Sequence, residues 1–316
     1  MRKSKFVLAV LATTTAGIVT LAGSQAQARE NAAPADVVAP APAAPMFFAA
    51  VMRGATTDVP PADPDGRGVF VMRVQGNQVG FAMAWRNLAM PTASHVHLGA
   101  AGINGPVRIP FFGGLPANLT AVTGSVTVMD QALLDAIAAD PAGFYANIHT
   151  TEFPAGAIRG QLRRLDHGVD LQRFLTVGSL ISLDSGDQEI AGGDADGHAV
   201  AFVRTRGGGR VDFGITYSGI APPTAGHIHQ GAVGVNGGIV VPFFAAPGGL
   251  PPTLNGIAGM VTGVMPDTIA MINRNPSGFY TNLHNVEFPG GAVRGQLFRV
   301  NSGSDDDVAD MATLAD

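Results

Sequence analysis

The chain contains the same long pattern of residues twice. Residues 95–112 read HVHLGAAGINGPVRIPFF, and residues 227–244 read HIHQGAVGVNGGIVVPFF. Residues 144–162 and 279–297 then repeat a second segment, FYANIHTTEFPAGAIRGQL and FYTNLHNVEFPGGAVRGQL. The first pair lies 132 residues apart and the second 135. Such a period indicates a duplicated domain, because the repeats of solenoid proteins are only about 20–50 residues long.

The N-terminal region predicts export. Three basic residues at positions 2, 3 and 5 precede an apolar run over residues 6–21, and Ala26-Gln27-Ala28 matches a cleavage site, so residues 1–28 are interpreted as a signal peptide. Residues 29–45, rich in Ala and Pro, predict an extended linker. The chain has no cysteine, so the exported protein folds without disulfides. We therefore expect a periplasmic or secreted protein with no membrane association after cleavage.

The charged residues exclude several classes of function. The chain has a net charge of −5, and loss of the three basic residues of the signal peptide would leave −8. Both lysines lie in the signal peptide, which excludes a Schiff-base lysine or a phosphate-loop lysine from the mature protein. An acidic chain without a basic cluster is not expected to bind nucleic acid. The expected partner is an extracellular or envelope component, or a small anion.

Hydrophobic alternation predicts an all-β fold. Large residues alternate with small ones over Val79–Trp85, and large residues alternate with smaller or polar ones over Val211–Tyr217, as in strands buried on one face. Further strands are predicted at 69–74, 95–98, 107–112, 124–129, 144–149 and 157–163. One short helix is expected in each repeat, after Asp130 and after Pro266. The prediction is two tandem antiparallel β-sandwich domains with Greek-key-like connections, at 46–165 and 172–300, followed by a disordered acidic tail at 301–316.

Three histidines recur in each repeat. Residues two apart in a strand face the same side, so His95 and His97 point together, as do His227 and His229. A third histidine, His149 or His284, ends a later predicted strand. Three neutral imidazoles suit copper or zinc, with a fourth position open to water or substrate. The sequence thus predicts one metal site per domain, although a hydrogen-bonded histidine network that supports a glycine-rich loop would explain the same pattern.

Other recurring polar residues lie near these histidines. Two of them, Asn147 and Asn282, are expected to share a face with the third histidine of their repeat. The arginines Arg159 and Arg294 would either guide a small anion or bind loop carbonyls. The carboxylates Glu152 and Glu287 would either orient a ligating imidazole or lie in a solvated turn. No nucleophile–base pair recurs in the two repeats, so the catalytic residues are unknown if the protein is an enzyme.

The combined motifs resemble the CHRD domain, which is named for its occurrence in chordin. The resemblance rests on His-Val/Ile-His, Gly-x-x-Gly-x-Asn-Gly, Tyr-x-Asn-x-His and Gly-x-x-Arg-Gly-Gln, and it covers both repeats. Where the family usually has Glu before its Ile-Arg-Gly-Gln segment, this chain has Ala157 and Ala292. The resemblance implies a fold of secreted proteins more than it implies a biochemical activity.

A fainter resemblance links the order of histidines and arginine in each repeat to copper/zinc superoxide dismutases. The zinc-binding loop and disulfide cysteines of those enzymes have no match here. Three hypotheses follow. The first is a binding module with one copper or zinc ion per domain. The second is a copper-dependent redox enzyme of superoxide dismutase-like type, and the third is a purely structural or adhesive extracellular protein.

Overall fold

The computed structural model describes residues 44–54 and 62–299. The predicted signal peptide, almost all of the predicted linker and the predicted acidic tail lie outside these residues. Among the helices of the described ranges, none combines the length and the apolar character that crossing a membrane requires.

Each repeat is built mainly from short strands, with one α-helix among its described residues. The elements of the first repeat are β1 (Met46–Arg53), β2 (Arg67–Gln75), β3 (Gln78–Arg86), β4 (Pro91–Leu98), β5 (Val107–Gly113), β6 (Leu119–Thr127), α1 (Gln131–Ala139), β7 (Phe144–Thr150), β8 (Ile158–Gln161) and β9 (Arg163–Leu165). Those of the second are β10 (Leu180–Ser185), β11 (His198–Arg206), β12 (Arg210–Ser218), β13 (Ala225–Gln230), β14 (Ile239–Ala245), β15 (Leu254–Val261), α2 (Pro266–Arg274), β16 (Phe279–His284), β17 (Val293–Gln296) and β18 (Phe298–Arg299).

The strands of each repeat form two facing antiparallel layers. In the first repeat the hydrogen-bonded order is β5-β4-β7-β8-β1-β2-β3-β6. The ring of Phe111 on β5 lies 5.3 Å from that of Phe70 on β2 and 4.6 Å from that of Phe81 on β3. Because β5 pairs with neither β2 nor β3, these contacts cross the core between layers. The paired strands β3 and β6 are not consecutive in the chain, and neither are β4 and β7. The prediction of an all-β sandwich is confirmed.

Both predicted helices are present and pack one face against the core. The carboxylate of Asp130 accepts the backbone N–H of Leu133 at 3.0 Å and caps the N-terminus of α1. That helix buries Leu133, Leu134 and Ile137. The second helix begins at Pro266, has no side-chain cap and buries Ile272.

The two repeats are joined by a pairing between β6 and β15, which we call the seam. Val122 pairs with Ile257 at its centre. On either side the pairs are reciprocal, Leu119 with Gly259 and Gly124 with Leu254. Equivalent strands therefore meet about an approximate two-fold axis, as in an isologous dimer interface.

Candidate metal centre

Strands β4 and β7 place the histidines on the outer face of the first sandwich. Val96, between His95 and His97, is fully buried in the core. Side chains alternate along a strand, so both histidines project from the opposite face. Across the strand pair, Asn147 lies opposite His95 and Tyr145 lies opposite His97. This outer face is where the residues with chemistry collect.

The structure brings the six predicted histidines together in two groups of three. Nδ1 of His95 lies 3.1 Å from Nε2 of His149, and one nitrogen of each ring in the trio lies within 4.8 Å of the others. In the second repeat the distance from Nδ1 of His227 to Nε2 of His284 is also 3.1 Å. Each of these 3.1 Å contacts is a hydrogen bond between two imidazoles. Nitrogens bound tetrahedrally to one ion at about 2.0–2.1 Å are roughly 3.3 Å apart, which is close to that distance.

Backbone carbonyls hold the second nitrogen of two rings in the first repeat. Nδ1 of His97 lies 2.9 Å from the carbonyl oxygen of Gly105, and Nδ1 of His149 lies 3.0 Å from that of Pro154. A carbonyl only accepts, so each Nδ1 carries the proton and each Nε2 offers a lone pair. Among the described residues, the buried Nε2 of His97 has no hydrogen-bond partner.

The second repeat reproduces this arrangement. Nδ1 of His229 lies 3.0 Å from the carbonyl oxygen of Gly237, and Nδ1 of His284 lies 3.0 Å from that of Pro289. Nε2 of His229 is again buried and lacks a partner in the described ranges. An unpartnered buried lone pair at the same position of both copies is the feature that a metal ligand would show.

Burial keeps the imidazoles neutral. Desolvation, followed by the neighbouring imidazoles, lowers the pKa of His95 and of His227 to about 4. Desolvation is also the first cause that lowers the pKa of the other four histidines, and it outweighs the hydrogen bonds to backbone carbonyls, which act to raise it. Neutral imidazole is the form that binds metal.

An aromatic ring and an arginine support the site from below. The His97 ring stacks on Tyr145 with centroids 4.8 Å apart. The guanidinium of Arg159 lies 3.4 Å from the centroid of the Tyr145 ring. Arg159 is 3% exposed, and it donates to the carbonyls of Ala100 and Ile103. Its contacts thus order the β4–β5 loop, whose Gly105 carbonyl orients His97.

Arg294 occupies the same place in the second repeat. Its guanidinium lies 3.6 Å from the centroid of Tyr280, which stacks on His229. It donates to the carbonyls of Ala232 and Val235. Sequence reasoning missed both stacked tyrosines, although the repeated Phe-Tyr-x-Asn segment contains the signal that would have identified them.

The carboxylates that the sequence suggested as imidazole partners lie elsewhere. Glu152 and Glu287 are exposed in the loops after β7 and β16. Of the two roles that the sequence allowed, they take that of residues in a solvated turn, and Nδ1 of His149 and of His284 is bonded to the carbonyl of Pro154 or Pro289 instead. A different carboxylate, that of Glu189, accepts a hydrogen bond from the side chain of Asn282. The sequence did not predict this contact.

The arrangement can hold a metal ion in each repeat. Each trio supplies three neutral nitrogen donors and no thiolate, a donor set that suits copper or zinc. The rings of His95 and His149 are only half-buried, so one side of the trio is accessible to solvent.

Comparison with known protein families gives a match to the CHRD domain at residues 48–162 and again at residues 182–297. The searches of curated proteins and of solved structures give no significant match.

Proposed function

Because the chain belongs to the CHRD domain family and carries two copies of that domain, we propose that it is an exported binding protein that holds one copper or zinc ion in each domain. The ligands are His95, His97 and His149 in the first domain, and His227, His229 and His284 in the second. The N-terminal pattern supports a periplasmic or secreted location, since it has the features of a signal peptide.

One observation carries this proposal. The buried Nε2 atoms of His97 and His229 have no partner among the described residues, while the Nδ1 atom of each ring is fixed on a carbonyl. A histidine with a purely structural role would be expected to use both nitrogens, because leaving a buried polar atom unpaired costs about 1–3 kcal/mol. A metal ion bound to Nε2 removes that cost.

Metal analysis of untagged, folded protein tests the proposal. We expect about two equivalents of copper or zinc, one per domain. The double variant His97→Phe/His229→Phe keeps an aromatic ring stacked on each tyrosine but removes two ligands, so it should bind none. The matched control is His167→Ala/His198→Ala, which changes the two histidines outside the trios, both exposed.

Circular dichroism must show that all three proteins are folded. The control should retain both metal equivalents. Absence of metal from the wild type, together with marked destabilisation of the phenylalanine variant, would favour the structural role of the histidines and contradict the proposal.

A redox activity at copper is the second candidate. The half-exposure of His95 and His149 favours it, because a small substrate could approach the ion from that side. Superoxide disproportionation by the copper-loaded protein, compared with the phenylalanine variant, is the assay. Because Arg159 and Arg294 already bind loop carbonyls, any guidance of an anion would come from their charge rather than from a free guanidinium.

A further inference from the structure

The asparagine beside each trio has an amide oxygen with no donor. Asn147 and Asn282 are 2% and 3% exposed. In the described part of the chain, neither Oδ1 atom has a hydrogen-bond partner. Both repeats therefore leave the same two buried acceptors unpaired, which are this oxygen and Nε2 of His97 or His229.

The strand register places the asparagine at the floor of the trio. Asn147 lies directly opposite His95, and its neighbours on the same face of β7 are Tyr145 and His149. Side chains opposite each other on adjacent strands lie about 4.5–5.5 Å apart at Cβ. The Asn147 side chain also lies within hydrogen-bond reach of the His97 ring.

The second repeat fixes which way the amide points. Nδ2 of Asn282 donates to the Glu189 carboxylate. An ionised carboxylate only accepts, so the nitrogen must face Glu189 and Oδ1 must face away from it. In that repeat, Oδ1 of Asn282 and Nε2 of His229 are both buried acceptors without a donor among the described residues. Asn147 holds the same register position in the first repeat, opposite His95 as Asn282 is opposite His227.

From this arrangement we propose that Asn147 and Asn282 are positioning residues that select the fourth ligand of the ion. Each accepts a hydrogen bond from a metal-bound molecule that has an O–H or N–H group, of which water or hydroxide is the simplest. The inference rests on the proposed function, because the selected molecule is held by the ion. It assigns each site a preference for protic small ligands over anions that have no hydrogen.

Azide titration of the copper-loaded protein tests this preference. Azide binds copper but has no hydrogen to donate, so in the wild type it displaces water and leaves the asparagine oxygen unpaired. A ligand that cannot reproduce the hydrogen bonds of an ordered water loses affinity. Asn147→Leu/Asn282→Leu removes the acceptor, and azide affinity should rise by about tenfold, which corresponds to one hydrogen bond. The three imidazoles remain, so two copper equivalents should still bind.

Asn77→Leu, at an exposed turn, is the control and should leave azide affinity unchanged. If the leucine pair does not fold, Asn147→Ala/Asn282→Ala removes the same acceptors without added bulk. Unchanged azide affinity in a variant that holds two coppers would overturn the inference alone. Loss of copper from both the leucine and the alanine variants would mean that the asparagines are needed to hold the ion itself, and would also overturn it. A wild type that binds no copper or zinc would overturn the proposed function as well.

Discussion

His97 and His229 present a single nitrogen to the site because a backbone carbonyl holds the other. The glycine that supplies the carbonyl has no room for a side chain. A Cβ at Gly105 would lie 1.6 Å from the carbonyl oxygen of Leu98, and one at Gly237 would lie 1.5 Å from that of Gln230. At the residue scale, the glycines of the Asn-Gly pairs therefore determine the orientation of a histidine eight residues away.

Gly237→Ala should remove the metal from the second domain only. The clash would move the loop and release Nδ1 of His229, so we expect metal content to fall from two equivalents to one. Gly238→Ala is a matched control one residue away, because a Cβ there meets nothing within 4 Å. Equal metal content in the two variants would show that the loop does not control the ligand.

A buried carboxyl distinguishes the second repeat from the first. Asp184 is 3% exposed and accepts hydrogen bonds from Thr281, and desolvation is the main cause that raises its pKa to about 7. Arg53 pairs with Arg159 in the first repeat, and Ser185 pairs with the equivalent Arg294 in the second. Arg53 and Ser185 are therefore equivalent, and the residue of the first repeat that corresponds to Asp184 is Met52. The second core therefore carries an ionisable group where the first is apolar.

Asp184→Asn should stabilise the protein above neutral pH. The folded carboxyl keeps a proton that the unfolded chain loses near pH 4, so its contribution to stability is lost as pH rises from 4 to 7. The variant avoids this loss, and its free energy of unfolding at pH 8 should exceed that of the wild type by up to about 4 kcal/mol. Urea denaturation at pH 4 and pH 8 measures the difference, which should nearly vanish at pH 4.

The histidine trios act in the opposite direction over this range. Their lowered pKa values mean that the unfolded chain binds more protons, so stability is present above pH 6.5 and is lost as pH falls toward 4. The free energies of unfolding of the wild type and of Asp184→Asn should therefore be compared with each other at the same pH. A variant curve parallel to that of the wild type from pH 4 to pH 8 would contradict the role of Asp184.

At the scale of elements, the sequence predicted strands in which large residues alternate with small or polar ones. Val79–Trp85 alternates and lies within β3, and His95–Leu98 ends β4. Strands β1 and β10 were not predicted. β1 lies between β2 and the β8–β9 segment, and its sequence Met-Phe-Phe-Ala-Ala-Val-Met is apolar throughout without alternating large and small residues, so no period of two is visible.

The candidate site was likewise predictable only in part. The grouping of the histidines was predictable because three of them recur at fixed positions in each repeat. Their orientation was not, because it depends on carbonyls, which every residue has, and on loops whose conformation brings Gly105 and Pro154 to the rings. β6 begins at Leu119 rather than at the predicted Gly124, and its first residues pair both with β3 and with β15 of the other repeat.

The two helices differ at their N-termini, which permits a reciprocal test. Asp130→Ala removes the cap of α1 and should lower the free energy of unfolding by about 1 kcal/mol, whereas Asp130→Asn should retain the cap. Met265, at the N-cap of α2, is exposed and forms no side-chain cap. Met265→Asp should stabilise the protein by up to about 1 kcal/mol. Thermal denaturation measures each effect, and a neutral Asp130→Ala would contradict the capping role.

For the whole molecule, the seam makes the two repeats depend on each other. A Cβ at Gly124 would lie 2.2 Å from the carbonyl oxygen of Thr253, and one at Gly259 would lie 2.3 Å from that of Asn118. The two clashes are equivalent under the approximate two-fold relation. The repeats thus meet backbone to backbone, at a distance that only glycine allows.

Gly259→Ala should destabilise both repeats together, by about 1–3 kcal/mol. The single tryptophan, Trp85, is buried in the first repeat, so its fluorescence reports on the repeat that is not changed. We expect its unfolding midpoint to fall together with that measured by circular dichroism. Gly113→Ala, where a Cβ meets nothing within 4 Å, is the control. An unchanged Trp85 transition would mean that the repeats unfold independently.

The carbonyls that hold the imidazoles also bear on how freely this protein can diverge. Every amino acid carries the same carbonyl, so substitutions elsewhere in the loop do not delete the acceptor. The two copies show this tolerance: Ala101 and Ile103 in one loop correspond to Val233 and Val235 in the other, yet the distances from histidine to carbonyl are 2.9 and 3.0 Å. Mutations can therefore accumulate on the surface around each site while the geometry of its histidines is inherited unchanged.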